Sequence, residues 1–322
     1  MRVLVTGSTG FVGHAVCQLL LDSGHDVTAV VRELPAEVVP GCDSVAVGSI
    51  HGETEWRHAL DNVDAVVHLA ARTHQDDGAD AIKVYQTVNV DGTAQLARSA
   101  LTAGVGTFTY MSSVKVNGEY SPVGENGLPR PFSGEDEPRP VSLYGHTKWQ
   151  AEQLLNKITS GIPMRLVILR PPLVYGPGQK GNLFRLMRAI DRGVPLPFAG
   201  LNNCRSLIDV KNLASAVVLT VAPNCAAVGP YTLADIEVST AELVRETAIA
   251  LGSRPRLFRF PVSLLAAAAR LTGRRDQLDK LTQSLVVDST RITAAMSWVP
   301  ERSLEASLRE TVVHYRADQA NL

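Results

Sequence analysis

The sequence of 322 residues predicts an α/β fold, a doubly wound parallel sheet followed by a smaller, mostly C-terminal domain. Two observations in the first half predict it. Strand and helix patterns alternate from the N-terminus, and the strand segments are uninterrupted apolar runs. Uninterrupted runs are expected where helices cover both faces of a parallel sheet. The alternating order supplies the helical connections that parallel neighbouring strands require.

The elements follow from these patterns in chain order. Strands are predicted at residues 2–6, 26–31, 44–47, 65–69, 107–111 and 165–169. Helices are predicted at residues 11–23, 79–103 and 144–158, with a helical turn at 53–60. Residues 119–141 carry several Pro and Gly residues and predict a long loop.

The pattern changes after Arg170, where prolines interrupt the chain and helices are predicted at 182–192, 212–221 and 240–251. We therefore expect one domain over residues 1–170, with a returning segment near 206–222, and a second over 171–322. The second domain is expected to pack at the carboxyl edge of the sheet, where open α/β sheets bind ligands.

Composition excludes several classes of protein. The net charge is −1, 45% of residues are hydrophobic and 20% are charged, so nothing indicates nucleic-acid binding. The N-terminus lacks a signal-peptide pattern, and the apolar run at 260–271 is shorter than the ~20 residues of a membrane span. We interpret that run as a buried or interfacial helix and expect a cytoplasmic protein without a membrane partner.

The cysteines are scattered along the chain, and neither they nor the histidines have the spacing of metal ligands. We expect no metal site and free thiols at Cys17, Cys42, Cys204 and Cys225.

A glycine-rich turn joins the first strand to the first helix, with Gly7, Gly10 and Gly13 at three-residue spacing. Glycine permits a tight turn and a close approach of backbone to a pyrophosphate. The N-terminus of the helix then offers free N–H groups to phosphate. The loop predicts a dinucleotide site of the Rossmann type, formed by Gly7, Thr9, Gly10, Phe11, Val12 and Gly13.

The end of the second strand bears on the choice of dinucleotide. An acid there suits the ribose of NAD(H), whereas arginine suits the 2′-phosphate of NADP(H). Val31 holds the acidic position and Arg32 follows it. Arg32 favours NADP(H), although a solvated Arg32 with Glu33 on the ribose would allow NAD(H).

Tyr144 and Lys148 are four residues apart, which places both on one face of a helix. A tyrosine can exchange a proton with a carbonyl oxygen during hydride transfer if a nearby ammonium lowers its pKa from ~10. Ser112 and Ser113 follow the strand at 107–111, where a hydroxyl could orient that oxygen. Surface and turn-forming roles are the alternatives for these residues.

Several further motifs stand in a recognisable order: His68 to Ala71, Asn89 to Thr93, Ser112-Ser113, Tyr144 to Lys148, and Arg170 to Pro177. With the glycine loop, they resemble the extended short-chain dehydrogenases, the nucleotide-sugar epimerase/dehydratase/reductase family, over nearly the whole chain. The resemblance implies a catalytic triad of Ser113, Tyr144 and Lys148, a homodimer, and a UDP-sugar substrate.

The resemblance also implies binding residues. The cofactor would be contacted by Ser49, Ile50, Leu69, Ala70, Ala71, Asn89, Lys148, Pro171 and Pro172. The substrate would be contacted by Ser113 and Tyr144, and its diphosphate by Asn182 and Arg205. Three departures are notable. Ser49 replaces the usual acid after the third strand, Leu173 replaces a common asparagine, and the acid at the end of the second strand is missing.

Residues 69–74 and 112–119 are most similar to a bacterial polysaccharide branch of this family that contains reductases of UDP-4-keto-6-deoxy-N-acetylhexosamine. We therefore expect an NADPH-dependent reductase of the C4 keto group of such a sugar. A UDP-hexose 4-epimerase with tightly bound NAD is the alternative, since it uses the same groups. A non-catalytic nucleotide-binding scaffold is a second alternative.

Overall fold

The structure, a computed structural model, describes residues 1–73, 80–179 and 181–320. Its central sheet has seven strands in the order β3-β2-β1-β4-β5-β6-β9, and every neighbouring pair is parallel. The strands are β1 Arg2–Thr6, β2 Asp26–Val31, β3 Asp43–Ala46, β4 Ala65–His68, β5 Thr107–Met111, β6 Arg165–Arg170 and β9 Gly229–Thr232. The order reverses between β1 and β4, which places a ligand crevice at their carboxyl ends.

Helices cover both faces of the sheet. On one face, α1 Phe11–Asp22 and α6 Val210–Val221 pack over alternate strand residues such as Val3 and Val5. On the other, α3 Thr93–Thr102 and α4 Leu143–Thr159 pack over Leu4, Val66 and Phe108. Because successive residues of a strand point to opposite faces, both positions must be apolar, which explains the uninterrupted apolar runs. The predicted doubly wound sheet is confirmed.

The predicted helix at 79–103 is present but is not α-helical throughout. Ala79 lies outside the described residues, and the segment that follows divides into α2 Ala81–Tyr85, a π-helix Gln86–Gly92, and α3. The wider turn ends at Gly92, whose backbone lies so close to Ile50 that a Cβ would stand 2.5 Å from its Cγ2. Residues 53–60 form turns rather than a regular helix, with Leu60 N bonded to Trp56 O.

The C-terminal part contains a second sheet of three strands, β7 Leu173–Tyr175, β8 Arg205–Asp209 and β10 Ile236–Val238, in the order β10-β8-β7. The helices here are α5 Asn182–Asp191, α7 Thr240–Ala250, α8 Val262–Leu271, α9 Arg275–Thr282, α10 Thr290–Met296 and α11 Leu304–Ala320. A separate apolar core joins α5, α7 and α11 to β8.

The long loop at 119–141 is attached to this C-terminal part. Phe132 donates from its backbone N to Val286 O and accepts at its carbonyl from Asp288 N, both at 2.8 Å. The run at 260–271 is not buried: no residue of α8 is buried. In the part of the chain that the structure describes, no helix is long and apolar enough to span a membrane.

Candidate active site

The glycine loop is built for close backbone approach. Gly7 has a φ of +69°, and a Cβ there would stand 2.8 Å from Ala70 N. A Cβ at Gly13 would stand 2.0 Å from the Gly7 carbonyl oxygen. Thr9 and Gly10 remain exposed, and Gly10 caps α1, whose first turn carries no acidic residue. The loop and the helix N-terminus therefore fit a dinucleotide pyrophosphate.

The ends of β2 and β3 lie beside this loop. Ser8 Oγ donates to Val30 O at 2.9 Å, which attaches the loop to β2. Arg32 and Ser49 are exposed at the carboxyl ends of the two strands, and Ile50 packs against Gly92. Arg32 is thus available to an adenosine ribose or its phosphate, as is the exposed Glu33 that follows it.

A buried histidine at the end of β4 links that strand to the end of β1, where the glycine loop begins, and to the start of α3. His68 Nδ1 lies 2.7 Å from Thr6 Oγ1, and its Nε2 lies 2.9 Å from Thr93 Oγ1. Burial, with the charge of Lys148, lowers the pKa of His68 to about 3. His68 is therefore neutral at physiological pH. Its two hydrogen bonds give it a structural role, which the sequence did not indicate.

Asn89 holds the segment that follows β4. Its Oδ1 accepts from Arg72 N at 2.7 Å, and its Nδ2 donates to Arg72 O at 3.0 Å and to Thr147 Oγ1 at 3.2 Å. The π-helix places Asn89, and such helices occur frequently at functional sites. Asn89 thereby positions Leu69, Ala70 and Ala71, which are half-buried at the crevice.

The three predicted catalytic residues come from two neighbouring elements. Ser113 follows β5 and its Oγ accepts from Lys115 N at 3.2 Å, which caps a short 3₁₀ turn. Lys148 on α4 is 1% exposed and donates from Nζ to Met111 O at 2.7 Å. Its Nζ lies 5.8 Å from the centre of the Tyr144 ring and 4.6 Å from that of Tyr110.

Burial dominates the electrostatics of this group. It lowers the pKa of Lys148 to about 7, against an opposing effect of Glu152. It also raises the pKa of Tyr144 above its ordinary value, and the neighbouring Tyr85 adds to this. In the chain without a bound cofactor, desolvation of the phenolate therefore outweighs the effect that the positive charge of Lys148 was expected to have on the pKa of Tyr144.

Behind these residues lies a buried ion pair that the sequence analysis missed. Arg170 and Glu152 are each 3% exposed, and Arg170 Nη2 lies 2.5 Å from Glu152 Oε2. Ser112 Oγ donates to Glu152, and Arg170 Nη1 donates to Asn117 Oδ1 at 3.2 Å. The pair joins α4 to β6 and to the turn after β5. Glu152 follows Lys148 by four residues on the same helix face, which was the available signal.

Close packing of α4 depends on a glycine between the catalytic pair. A Cβ at Gly145 would stand 2.6 Å from the carbonyl oxygen of Lys115. The first turn of α4 therefore touches the 3₁₀ turn that carries Ser113. Pro171 and Pro172 are buried on the other side, where Pro171 O accepts from Val114 N at 3.0 Å.

The predicted diphosphate ligands lie in the C-terminal part. Asn182 is exposed at the start of α5. Arg205 begins β8 and donates from Nη1 to Gln283 O at 3.0 Å, and burial lowers its pKa. Lys115 forms an ion pair with Glu119, and burial together with the charges of Lys280 and Arg205 lowers its pKa to about 8. Lys115, Arg205 and Lys280 therefore bring positive charge to one region beside the turn that carries Ser113.

The model of the NAD dependent epimerase/dehydratase family matches residues 3–231. The chain belongs to this family. A UDP-glucose 4-epimerase of Vibrio cholerae is 38% identical over 316 residues, which cover 96% of this chain and 94% of that protein. An N-acetyl-α-D-glucosaminyl-diphospho-ditrans,octacis-undecaprenol 4-epimerase of Escherichia coli O157:H7 is 24% identical, over 98% of this chain and 97% of its own.

Among solved structures, MoeE5 in complex with UDP-glucuronic acid and NAD matches with a TM-score of 0.78 and 26% identity, over 99% of this chain and 100% of that one. These similarities confirm the family predicted from the motifs. Among the described residues, no group of three or more His, Cys, Asp or Glu side chains is arranged so that it could hold a metal ion.

Proposed function

We propose that this epimerase/dehydratase-family protein is a UDP-hexose 4-epimerase that works with NAD. The observation that carries the proposal is the placement of Ser113 after β5 beside Lys148, which α4 holds against Met111 at the end of the same strand, one helical turn from Tyr144. The glycine loop follows β1 at the same edge of the sheet. The 38% identity to a UDP-glucose 4-epimerase over nearly the whole length favours this activity over the reductase expected from the sequence.

The residues that would hold the dinucleotide are those that the sequence predicted. The glycine loop and the start of α1 would bind the pyrophosphate, Arg32 or Glu33 the adenosine ribose, and Ser49 and Ile50 the adenine. Leu69, Ala70, Ala71, Pro171 and Pro172 would line the remaining path, with Asn89 fixing it. When bound, the dinucleotide would supply the acceptor and donor of the hydride at C4.

The chain's own residues would manage the proton and the oxygen. Tyr144 would take the proton from the C4 hydroxyl while the sugar is oxidised and return it to the same oxygen on reduction. Ser113 would hold that oxygen by a hydrogen bond. Lys148 would fix Tyr144 and the cofactor ribose from its anchor on Met111, and its partial charge would favour the phenolate.

We place the UDP moiety against Asn182 and Arg205, with the sugar between them and the triad. Arginine suits the bidentate recognition of a diphosphate. In this arrangement residues 1–170, with the returning segment near 206–222, would hold the cofactor. The rest of 171–322 would hold the nucleotide sugar.

One observation keeps the 4-keto reductase as a second candidate. Arg32 is exposed after Val31, a position that suits the 2′-phosphate of NADPH. Substituting Arg32→Ala should weaken NADPH binding and spare NADH if that reading holds. Equal losses for both dinucleotides would remove this support.

Two parallel assays separate the candidates, one with UDP-hexoses and no added cofactor, the other with NADPH and a UDP-4-keto-6-deoxy-N-acetylhexosamine. The purified protein is incubated with UDP-glucose or UDP-N-acetylglucosamine without added cofactor, and the products are identified by chromatography. Formation of the C4 epimer, with NAD released on denaturation, is the expected result. Oxidation of NADPH by a UDP-4-keto-6-deoxy-N-acetylhexosamine, without epimerisation, would favour the reductase instead. Nucleotide binding without turnover of any of these sugars would favour the scaffold.

We also propose a homodimer through helices within residues 79–103 and 144–158. Ile82 on α2 is 67% exposed, which suits an interface formed by a second copy. Light scattering should give the dimer mass, and Ile82→Asp should shift it toward the monomer. A parent protein that stays monomeric at micromolar concentration would exclude this assembly.

A further inference from the structure

The surface around α8 is apolar, basic and uncovered. We define the Arg/Phe surface as the exposed side chains of residues 254–260 together with α8. No residue of α8 is buried, although eight of its ten residues are Val, Leu or Ala. Its two polar residues, Ser263 and Arg270, are seven residues apart and share one face, so the rest of the helix surface is apolar. Such an apolar helix surface is normally buried. The described chain covers α8 mainly through its neighbour α9.

The segment before α8 extends this surface. It runs alongside Leu196, whose backbone N donates to Arg256 O at 2.8 Å and whose carbonyl accepts from Phe258 N at 3.1 Å. Alternate side chains of an extended segment share one side. Leu257 therefore packs inward on the core, while Arg256 and Phe258 point outward. Phe258 and Phe260 remain 43% and 40% exposed, with their rings 6.3 Å apart.

The charge of this region has one sign. Residues 254–271 contain no Asp, Glu or Lys, and all their charged side chains are arginines: Arg254, Arg256, Arg259 and Arg270. The next arginine with an ion pair, Arg275 on α9, is paired with Asp279. With the described residues, no ion pair is formed by Arg254, Arg256, Arg259 or Arg270. The whole chain has a net charge of −1, so this local excess is a distinct feature.

We propose that the Arg/Phe surface binds the face of an anionic phospholipid membrane. Phe258, Phe260 and Leu264 would enter the interface of headgroups and acyl chains, as the apolar side of a surface-bound helix does. The arginines would stay at the level of the phosphates with their aliphatic stems along the apolar surface. This is attachment without a span, so the length of α8 is no obstacle.

Charge complementarity selects this occupant over a second copy of the chain. A twofold contact through this surface would place arginines against arginines, because such contacts pair identical patches. An anionic lipid surface neutralises them and accepts the apolar side chains together. The proposal goes beyond the enzymatic function and does not depend on it. It replaces the sequence-based expectation that no membrane is among the partners.

The test is cosedimentation of the full-length protein with vesicles. Binding is expected to vesicles of equal parts phosphatidylcholine and phosphatidylglycerol, and not to vesicles of phosphatidylcholine alone. High salt should weaken it, because the Debye length falls to about 3 Å at 1 M. The double variant Arg254→Glu/Arg270→Glu should lower the bound fraction at least about tenfold, and Phe258→Ser/Phe260→Ser should also release the protein.

Matched controls are Arg57→Glu and Val313→Ser, which alter an exposed arginine and an exposed apolar residue elsewhere. Both should bind as the parent does, and circular dichroism melts confirm that each variant is folded. Failure of the parent to bind anionic vesicles would overturn the proposal. Equal losses of binding in the control variants would also overturn it. If both double variants still bound the anionic vesicles, another surface of the protein would be responsible and the proposal would fail.

Discussion

Lys148 donates a hydrogen bond from its Nζ to the backbone carbonyl of Met111 at 2.7 Å, which joins the middle of the site to the end of β5. The bond positions a lysine that is almost completely buried. Burial lowers its pKa from 10.5 to about 7. The folded chain therefore releases a proton at a pH where the unfolded chain still holds it.

This difference predicts a pH dependence of stability. Between pH 7 and 10.5 the unfolded chain binds more protons at Lys148, so the free energy of unfolding should rise with pH. Lys148→Met should remove a slope of at most about 1.4 kcal/mol per pH unit. Urea titrations at several pH values measure it. Lys157→Met, an exposed change on the same helix, should keep the slope, and a parent-like slope in Lys148→Met would contradict the assignment.

The buried pair of Glu152 and Arg170 should be costly to break. Glu152→Gln keeps the shape of the side chain but leaves the charge of Arg170 without its partner, which we expect to lower the free energy of unfolding by about 3–5 kcal/mol. Denaturant unfolding measures the loss. The exposed Glu301→Gln is the control and should change stability little.

A second variant tests whether the charge is the cause. The double change Glu152→Met/Arg170→Met removes both charges and should recover much of the lost stability. The single variants Glu152→Met and Arg170→Met complete the cycle. If the stability lost in the double variant equals the sum of their two losses, the residues are not coupled and the interpretation fails.

Gly145 should affect turnover only by setting the distance between α4 and the turn that carries Ser113. Gly145→Ala places a methyl group 2.6 Å from Lys115 O, so α4 must move away from the turn that carries Ser113. A shift of this kind should lower kcat about tenfold to a hundredfold while the protein remains folded. Gly106→Ala, whose Cβ would have an ordinary 3.7 Å neighbour, is the control. Unchanged kcat in Gly145→Ala would show that the helix need not touch this turn.

Arg205→Ala tests the placement of the UDP diphosphate. Loss of a charge-assisted hydrogen bond should weaken UDP binding by about 1.5–3 kcal/mol. Isothermal calorimetry with UDP measures this directly, without any dependence on catalysis. Arg57→Ala, at an exposed position, should bind UDP as the parent does. Unchanged affinity in Arg205→Ala would move the diphosphate elsewhere.

The parts of the fold that could be predicted from the sequence are those that leave a pattern in neighbouring residues. The apolar runs and the glycine loop identified the sheet, its first helix and the site edge, because burial on both faces leaves a pattern in each strand. The change from α- to π-helical hydrogen bonding at Gln86–Gly92 left no such pattern, and there Gly92 contacts Ile50, a residue distant in the sequence.

The site was predictable where a motif carried it and less so where long-range contacts did. Glu152 and Arg170 are charged residues from different elements, and only their folding together makes a buried pair. The pKa of Tyr144 likewise depends on how far the ring is removed from water, which the spacing of Tyr144 and Lys148 does not report. Residues 260–271 were recognised as apolar, but their exposure is a property of the assembled fold.

Tyr144→Phe tests the mechanism. The substitution removes only the hydroxyl, so packing and cofactor binding should survive, whereas the proton can no longer move to and from the C4 oxygen. Turnover of the UDP-hexose should fall about 10²–10⁴-fold, the usual contribution of a positioned acid or base. The measurement is kcat at saturating sugar, with bound nucleotide quantified in the same preparation.

The control for this variant is Tyr231→Phe, which removes a hydroxyl from a buried tyrosine on β9 and should leave kcat unchanged. Burial raises the pKa of Tyr144, so the phenol of the chain alone is protonated at neutral pH. The proton-accepting form must then be favoured by positive charge, which Lys148 loses as the pH rises past its pKa of about 7, so kcat of the parent should not rise steadily with pH above neutrality. Near-parental turnover in Tyr144→Phe would assign the proton transfer to another group. The proposed role of Lys148 in positioning Tyr144 would then be wrong as well.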